Sequence, residues 1–486
     1  MKHWALRAAR GTALALVAEI AARAANTIFF VLLTWSLGEV EASTYALGFA
    51  FAGFLIQFSL GGLDQLLNRE VARDGRQGAL VLGNFLLARL IAALLCYGAL
   101  ALWLVGPFGY TPAVSRVIFV LGATLIPDGL TALCQGYLIA RDRVGYITIL
   151  GAATGGLKLA LGALVLALGG DALAVAGVVL ATSLITLALY LYLICTRFEL
   201  PRFSFERAFW IVQARAEFPL LCIAILSMVE SSLDALLLTR GGNIVQVGVY
   251  AAASALLTPL LIFPTTFRQI ILPIMAGAYA AAVQRAYGIY IQSIRFLLIS
   301  ALLICASLAL VADQVLLILY RDHFVSAVPV MQILIWSFVL TTIAVPNGRL
   351  MLVAGRQAAA VPIQICSTLL NIGLNLLLQP RIGAQGAAIA RVASAGLTLV
   401  LGLLYVQRNL FRWNTLAALA GPIGAVLALA ITTASLRWLG VYWALALAGG
   451  WLTYGAALFA FRGISAAEIR GLLAAVRQSR AQIVVK

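Results

Sequence analysis

The sequence predicts an all-α, polytopic membrane protein with about fourteen transmembrane helices. Of its 486 residues, 63% are hydrophobic and only 10% are charged, with a mean hydropathy of +1.04. A soluble domain carries about 25% charged residues, so this chain cannot cover a water-facing surface. The apolar residues also fall in runs of roughly 20, the length that crosses a bilayer as a helix, without the alternation typical of a β-barrel.

Fourteen apolar segments, taken in order, define the predicted domain organisation. The first six form an N-terminal lobe, residues 1–196, and the next six form a C-terminal lobe, residues 217–406. A cytoplasmic linker, 197–216, joins the lobes, and helices 13 and 14 lie within 407–461. Residues 462–486 form a basic cytoplasmic tail with apolar residues along one side, which is typical of a helix on a membrane surface. The segments are 12–36, 42–67, 78–105, 113–139, 146–168, 173–196, 217–239, 244–272, 288–312, 326–353, 358–378, 384–406, 415–436 and 439–461.

The two lobes repeat each other in sequence. Residues 112–143 align without gaps on 326–357, an offset of 214 residues, and each stretch is an apolar span followed by a turn with small residues and Arg. Near the start of each half, Tyr45 corresponds to Tyr250. Because this offset covers an even number of spans, the halves have the same orientation in the membrane, as parallel repeats do.

The distribution of basic residues predicts the orientation. With both termini in the cytoplasm, the inside segments hold 21 basic residues and the outside loops hold four, Arg240, Arg321, Arg381 and Arg437. Such an excess on the cytoplasmic side is the usual pattern for membrane proteins. The net charge of +16 is therefore interpreted as loops facing anionic lipid, and no nucleic-acid partner is expected.

The amino-acid sequence contains no motif typical of catalysis or metal binding. The sequence has no glycine-rich loop of the kind that holds nucleotide phosphates, and its two histidines, His3 and His323, lie in polar segments. The six cysteines show no paired or metal-type spacing and are interpreted as small buried hydrophobic residues. We therefore expect a protein that is not an enzyme and has no metal or organic cofactor.

Basic residues inside the predicted spans are candidates for substrate binding. Each costs about 2.5–3.5 kcal/mol at the centre of a spanning helix, so it needs a functional or structural reason. A positive cavity between two lobes favours an anion, and the planar guanidinium suits a phosphate or pyrophosphate. The alternative is that each cation pairs with a carboxylate or a helix carbonyl, and Arg349, near a span end, is interpreted as reaching the membrane surface. The candidates are Arg23, Lys158, Arg268, Arg391 and Arg89.

Acidic residues inside the spans are candidates for ion coupling. Glu230 and Asp234 are four residues apart, which places two like charges on one face of a helix and favours uptake of H⁺ or Na⁺. Glu19 has the same spacing to Arg23, and Asp128 lies in the fourth span. The alternative, which the sequence leaves open, is that Glu230 and Asp234 pair with Lys158 or Arg391 and only stabilise the fold.

Two stretches resemble the polysaccharide transporters of the multidrug/oligosaccharidyl-lipid/polysaccharide (MOP) exporter superfamily. They are GGLDQLLNREVARD at residues 61–74 and NIGLNLLLQPRIGAQGAAIARVAS at residues 371–394. The resemblance implies a Wzx-type flippase that moves undecaprenyl-diphosphate-linked oligosaccharide from the inner to the outer leaflet of the bacterial inner membrane. It also implies a cationic central cavity, ion coupling in place of ATP, and functional arginines in spans 1 and 8, which match Arg23 and Arg268 by location.

Other functions remain open at this point. A flippase would serve O-antigen, capsule or exopolysaccharide synthesis, with the lipid bilayer and other polysaccharide-assembly membrane proteins as candidate partners. A cation-coupled multidrug exporter and a lipid II flippase belong to the same superfamily. Drug exporters usually stop at twelve spans and favour acidic cavities, and the lipid II flippase has a denser set of arginines in its first two spans.

Overall fold

The computed structural model describes residues 2–59, 62–73, 78–105, 110–198, 200–204, 226, 232–241, 243–411 and 415–461. No strand occurs within these ranges, so the prediction of an all-α fold is confirmed. The helices are α1 Lys2–Phe58, α2 Leu63–Arg73, α3 Gly78–Val105, α4 Pro112–Gly122, α5 Leu125–Ala140, α6 Val144–Ala167, α7 Ala172–Arg197, α8 Val245–Leu260, α9 Ile262–Ala281, α10 Val283–Leu310, α11 Ala312–Tyr320, α12 Ala327–Val353, α13 Ala360–Asn409, α14 Thr415–Trp438 and α15 Trp443–Ala460.

Many of these helices have the length and apolar composition of membrane spans. Within the described ranges, ten helical stretches qualify, some of which run across a short break. One of them, Gln357–Asn409, is 53 residues long and covers two of the predicted segments. A helix needs only about 20 residues to cross a bilayer, so such a stretch contains two crossings. The protein is a multi-pass membrane protein.

Glycines divide two long helices where the sequence predicts loops. Gly38 interrupts α1 with φ 76° and ψ −175°, and Gly383 interrupts α13 with φ 55° and ψ −132°. A side chain is strained at such positive φ values, which glycine adopts readily. At Gly383 an added Cβ would also lie 2.5 Å from Oε1 of Gln246. That oxygen accepts a 2.9 Å hydrogen bond from the backbone N–H of Ala384, so it caps the second half of α13.

The predicted second span, 42–67, is wrong at its C-terminal end. The helix ends at Phe58, and α2 starts separately after Gly62, which has φ 116°. Asp64, assigned to a span by the sequence, instead lies in the first turn of α2. Apolar residues on one face of α2, such as Leu67, are buried, whereas Arg69 is exposed. The glycine and this amphipathic pattern explain why the span stops early.

Prolines divide two further predicted spans. The segment 113–139 becomes α4 and α5, which are separated by a turn three residues before Pro127. The segment 244–272 becomes α8 and α9, with the break at Leu261 between Pro259 and Pro264. Proline has no N–H to donate and its ring crowds the preceding turn, so a helix breaks or kinks near it.

The chain forms two compact units. Unit one comprises residues 1–266, 316–334 and 361–394, and unit two comprises residues 267–315, 335–360 and 395–486. The predicted division into lobes 1–196 and 217–406, with the linker and the C-terminal pair between and after them, stays a prediction. The predicted tail, 462–486, lies outside the described residues.

The core of unit one contains large side chains from α2, α3, α5 and α7. Leu67, Phe85, Tyr137 and Tyr190 are all fully buried in one cluster. Beside it, α1 packs against α4, α6 and α8. This packing brings the polar residues of α1 close to α6 and α8, where the candidate site lies.

In unit two, α14 and α15 pack against each other and against α10. Nε1 of Trp451 donates a 2.9 Å hydrogen bond to Oγ of Ser307, and the hydroxyl of Tyr454 donates to the carbonyl of Ile299 at 2.8 Å. At Gly450 an added Cβ would lie 2.2 Å from Oγ1 of Thr433, so a glycine is needed for the close approach of α14 and α15. These two helices correspond to the predicted helices 13 and 14.

Candidate functional site

A buried carboxylate forms the centre of a polar cluster in unit one. Asp234 has no exposed surface and lies in the helical residues 232–237. Its Oδ2 accepts a 2.9 Å hydrogen bond from the hydroxyl of Tyr250, and its Oδ1 accepts from Nδ2 of Asn371 at 3.1 Å and of Asn375 at 2.7 Å. Gln379 extends the cluster, because its Nε2 donates to the backbone carbonyl of Asp234 and to Oδ1 of Asn375.

The three amides of this cluster share one face of α13. Asn371, Asn375 and Gln379 are four residues apart, so their side chains follow one another along the helix. Asn371 and Asn375 lie in a stretch that resembles the MOP exporters, but the sequence does not identify them as site residues. The four-residue spacing of amides within an apolar helix was the signal that could have found them.

Arg391 supplies positive charge to this cluster. It lies on the second half of α13, is half-buried, and acts electrostatically on Asp234. This electrostatic interaction supports the alternative in which Asp234 pairs with Arg391, and the pairing itself stays a prediction. Glu230, the other half of the predicted acidic pair, lies outside the described residues, so the like-charge pair itself stays a prediction.

A cavity of about 410 Å³ adjoins the same cluster. Four amide side chains and several apolar side chains line it. It lies in unit one, beside the interruption of α13 at Gly383. The lining residues are Leu237, Leu238, Asn243, Gln246, Asn375, Leu376, Gln379, Pro380 and Gly383.

A second polar cluster in unit one surrounds Lys158. Its Nζ donates a 3.0 Å hydrogen bond to Oδ1 of Asn26 and lies 5.1 Å from the centroid of the Phe29 ring. Asp128 acts on Lys158 electrostatically, and the carboxyl of Asp128 is hydrogen-bonded by Ser183. The structure thus brings together two predicted site residues of opposite charge, Lys158 and Asp128.

Two further predicted cations in unit one contact helix carbonyls. Nη1 of Arg23 donates to the carbonyl of Thr258 at 2.9 Å. Arg89 is only 4% exposed, its Nη2 donates to the carbonyl of Ile56 at 2.8 Å, and Gly129 leaves room for its guanidinium. Carbonyl pairing was the structural alternative for these residues, and the burial of Arg89 favours it there. The side chain of Glu19 lies outside the described residues.

In unit two, Arg268 lies near a second arginine that the sequence set aside. Arg268 is exposed on α9, and its charge acts on Arg349 of α12. No carboxylate among the described residues forms a salt bridge with either of them. The sequence does not single out Arg349, because it lies close to a predicted span end and its electrostatic interaction is with a residue of another helix, Arg268.

Solved structures with the same fold are membrane transporters. The chain is similar to a lipid II flippase, MurJ, in an inward closed conformation, with 13% identity, a TM-score of 0.72, and coverage of 91% of this chain and 97% of that chain. It is similar to an inward-facing multidrug resistance MATE family transporter of the MOP superfamily, with 15% identity, a TM-score of 0.65, and coverage of 81% and 98%. A MOP superfamily transporter from Pyrococcus furiosus with a binding pocket of reverse polarity shows 16% identity, a TM-score of 0.60, and coverage of 82% and 95%.

These likenesses show that the fold is that of MOP superfamily transporters. No curated protein sequence matches the chain significantly. A family model described as polysaccharide biosynthesis protein matches residues 8–279, which is more than half of the chain and includes Arg23, Lys158 and Asp234. The chain therefore belongs to the polysaccharide biosynthesis protein family.

Proposed function

We propose that the protein is a flippase for lipid-linked sugar. It moves undecaprenyl-diphosphate-linked oligosaccharide units from the inner to the outer leaflet of the bacterial inner membrane, for O-antigen, capsule or exopolysaccharide synthesis. Membership of the polysaccharide biosynthesis protein family supports the sugar part of the substrate. The likeness of the fold to a lipid II flippase supports the lipid part, because that protein also handles a lipid-linked substrate.

The observation that carries this proposal is the pair of arginines in unit two. Both side chains are positive and the charge of Arg268 acts on Arg349, so an anion bound beside them is stabilised by both charges. A guanidinium donates two parallel hydrogen bonds to a phosphate, so two of them suit a diphosphate. In the flippase, the diphosphate that joins sugar to lipid binds at this pair. Arg23, Lys158 and Arg391 are further candidates for binding the anionic substrate.

The energy for transport comes from an ion gradient in this proposal. Glu230 and Asp234 are the coupling residues for H⁺ or Na⁺, with Glu19 and Asp128 as further candidates. The fold supports alternating access, in which helices rearrange around a binding site between two orientations. The prolines and glycines that interrupt α1, α8, α9 and α13 supply positions where such helices bend.

Flipping in proteoliposomes tests the function. The substrate is a fluorescent undecaprenyl-diphosphate oligosaccharide, and its transfer between leaflets is measured for the wild type and for an Arg268→Ala/Arg349→Ala variant. We expect the double alanine variant to lose at least 90% of the transfer, and an Arg268→Lys/Arg349→Lys variant to keep part of it, since about one order of magnitude corresponds to the loss of 1.4 kcal/mol of binding. Arg116→Ala is the matched control, because this exposed arginine bonds only the Pro112 carbonyl among the described residues.

Three outcomes would overturn the proposal. If the wild type moves no lipid-linked oligosaccharide but extrudes a cationic dye, the protein is a multidrug exporter. If it moves lipid II and not the oligosaccharide lipid, it is a peptidoglycan-precursor flippase. If the double alanine variant transports at the wild-type rate, the diphosphate binds elsewhere.

A further inference from the structure

The cavity beside the Asp234 cluster has a lining that the arginine-based mechanism does not use. It measures about 410 Å³ and lies at the interruption of α13, where Gly383 and Gln246 are in contact. It opens to the surface at Asn243, which is exposed. Two of the lining residues, Asn243 and Pro380, lie within three residues of Arg240 and Arg381 in the sequence. The distribution of basic residues assigns both arginines to the outer side of the membrane.

Among the described residues, the groups that line this cavity include one amide oxygen and the NH₂ groups of two amides that have no hydrogen-bond partner. Gln379 is only 8% exposed, and within the described part of the chain no group donates to its Oε1. Gln246 uses its Oε1 to cap Ala384, and Asn243 uses its Oδ1 to accept from the N–H of Val245. No described residue accepts from the NH₂ groups of Gln246 or Asn243. A buried amide oxygen without a hydrogen-bond donor is energetically unfavourable, so a ligand that donates to it is favoured.

The lining excludes an ionic ligand and suits hydroxyl groups. None of the residues that line the cavity is charged, so it offers no counter-ion to a diphosphate. A hydroxyl both donates and accepts, so it is satisfied by an amide oxygen and an amide NH₂ placed around it. The remaining wall is apolar, with Leu237, Leu376 and Pro380, which suits the C–H faces of a sugar ring. A cavity of this size falls in the usual range for a small-molecule site.

A cation is a poorer occupant of this cavity. Both oxygens of the neighbouring carboxylate, Asp234, already accept hydrogen bonds, two at Oδ1 and one at Oδ2. Arg391 also acts on this carboxylate with its positive charge. A metal cation inside the cavity would therefore find only amide oxygens as ligands, since Asp234 is not among the residues that line it.

We propose that this cavity is a carbohydrate subsite that binds one or two sugar residues through Gln379, Gln246 and Asn243. It is separate from the arginine pair, which takes the diphosphate. The inference rests on the proposed function for the source of the sugar, the oligosaccharide of the lipid-linked substrate. The subsite then receives the sugar at the predicted outer end, where the oligosaccharide leaves.

Binding of simple glycosides tests the subsite without transport. The protein is placed in lipid nanodiscs, because maltoside detergents would themselves compete for a sugar site. Saturation-transfer NMR is recorded with methyl glycosides of glucose, galactose, mannose, rhamnose and N-acetylglucosamine. Two variants are compared with the wild type. Gln379→Met removes the amide, and Leu376→Trp narrows the cavity while leaving every amide hydrogen bond in place. Leu369→Trp is the matched control, because Leu369 is 63% exposed on the same helix and does not line the cavity.

We expect at least one glycoside to give saturation transfer in the wild type, with a loss of fivefold or more in both variants and no change in the control. The proposal is overturned if no glycoside gives a signal above that of empty nanodiscs, or if the signal persists in Leu376→Trp. It is also overturned if NaCl, compared with choline chloride, raises the unfolding temperature of the wild type but not of Gln379→Met, since the cavity would then hold a cation. A protein that flips lipid-linked oligosaccharide but binds no glycoside disproves the subsite alone.

Discussion

The hydroxyl of Tyr250 donates a 2.9 Å hydrogen bond to the carboxylate of Asp234, which lies 16 residues earlier in the chain. Phe29 and Tyr45 have the same spacing, and their ring centroids lie 5.9 Å apart. Because Tyr45 and Tyr250 correspond in the sequence repeat, Phe29 and Asp234 occupy equivalent positions in the two halves. One position is aromatic and the other is acidic.

The partners of these two positions differ in the same way. Lys158 lies over the Phe29 ring, and Asn371, which follows it at an offset of 213 residues, donates to Asp234. One half therefore places a cation where the other places a neutral amide. The repeat conserves the arrangement of helices but not the charge, so the two polar clusters are suited to different tasks.

Removal of Asp234 tests its pairing with Arg391. In the variant Asp234→Asn, Arg391 loses its attraction to this carboxylate, and we expect unfolding in nanodiscs at a lower temperature. A double-mutant cycle with Arg391→Gln should give a coupling energy of about 1–3 kcal/mol, because neighbouring groups in one network are not additive. The measurement is thermal unfolding of the four proteins.

Tyr250→Phe is a useful control in this cycle. It removes a single hydrogen bond from the same carboxylate and leaves both charges, so the expected loss is about 0.6 kcal/mol, the average for such bonds in membranes. Additive effects of Asp234→Asn and Arg391→Gln would contradict the pairing.

Variants of Lys158 and Asp128 test whether the second polar cluster, around Lys158, binds the substrate or only stabilises the fold. We expect Lys158→Met to lower the unfolding temperature, because Asp128 then lacks its nearby cation, and Lys158→Met/Asp128→Asn to restore it. If Lys158 binds the anionic substrate, flipping by the stable double variant falls at least tenfold. Unchanged flipping would assign both residues to the fold alone. Lys158→Arg, which keeps the charge, is the control for both measurements.

Much of the fold could be predicted because the membrane imposes it. Backbone groups in hydrocarbon must be satisfied within a helix, so apolar runs such as 78–105 became helices with the same ends, Gly78–Val105. The break predicted between segments 358–378 and 384–406 coincides with the interruption of α13 at Gly383, which the structure shows. The end of the second predicted span was wrong. The apolar residues on the buried face of the short helix α2 continue the apolar run of the span, so hydropathy alone does not separate the two helices.

The site was less predictable because side-chain pairing depends on how helices pack. Deep charges are rare in spans, so Asp234 and Lys158 stood out as candidates from their position alone. Their partners did not, because Asn371 and Asn375 are neutral and Asn26 lies on a different helix from Lys158. Arg349 was missed for a similar reason, since the charge that acts on it comes from Arg268 on a different helix.

Substitution of Gly383 tests the interruption of α13. We expect Gly383→Ala to destabilise the protein by about 1–3 kcal/mol, because φ is 55° there and the new Cβ would collide with Oε1 of Gln246. Gly373→Ala on the same helix is the control. Nothing lies within 4 Å of its added Cβ, and alanine favours a helix by roughly 0.5–1 kcal/mol over glycine. Equal effects of the two variants in thermal unfolding would show that the interruption does not depend on glycine.

The ion pair between Asp313 and Arg437 in unit two predicts a pH dependence of stability. Asp313 lies in the first turn of α11, outside the ten spanning stretches, and its Oδ2 is 2.5 Å from Nη2 of Arg437. Burial raises the pKa of the Asp313 carboxyl, but hydrogen bonds from Arg437 and Gln314 lower it further, so the pKa lies below its usual 3.8. A carboxyl with a lowered folded-state pKa stabilises the fold above its unfolded pKa and loses this contribution as pH falls through the folded value.

Asp313→Asn should therefore lower stability at pH 7 and have no effect at a pH below the pKa of the folded carboxyl. The side chains of Arg437 and Asp313 are 30% and 42% exposed, so water screens the pair and the expected loss is about 0.5–1 kcal/mol. Unfolding temperatures of wild type and variant, measured from pH 7 downwards, should converge as the pH falls. Asp322→Asn serves as the control, because Asp322 is exposed and near in sequence. A difference between wild type and Asp313→Asn that stays constant with pH would mean that the lost contribution comes from packing and not from the ionised carboxylate.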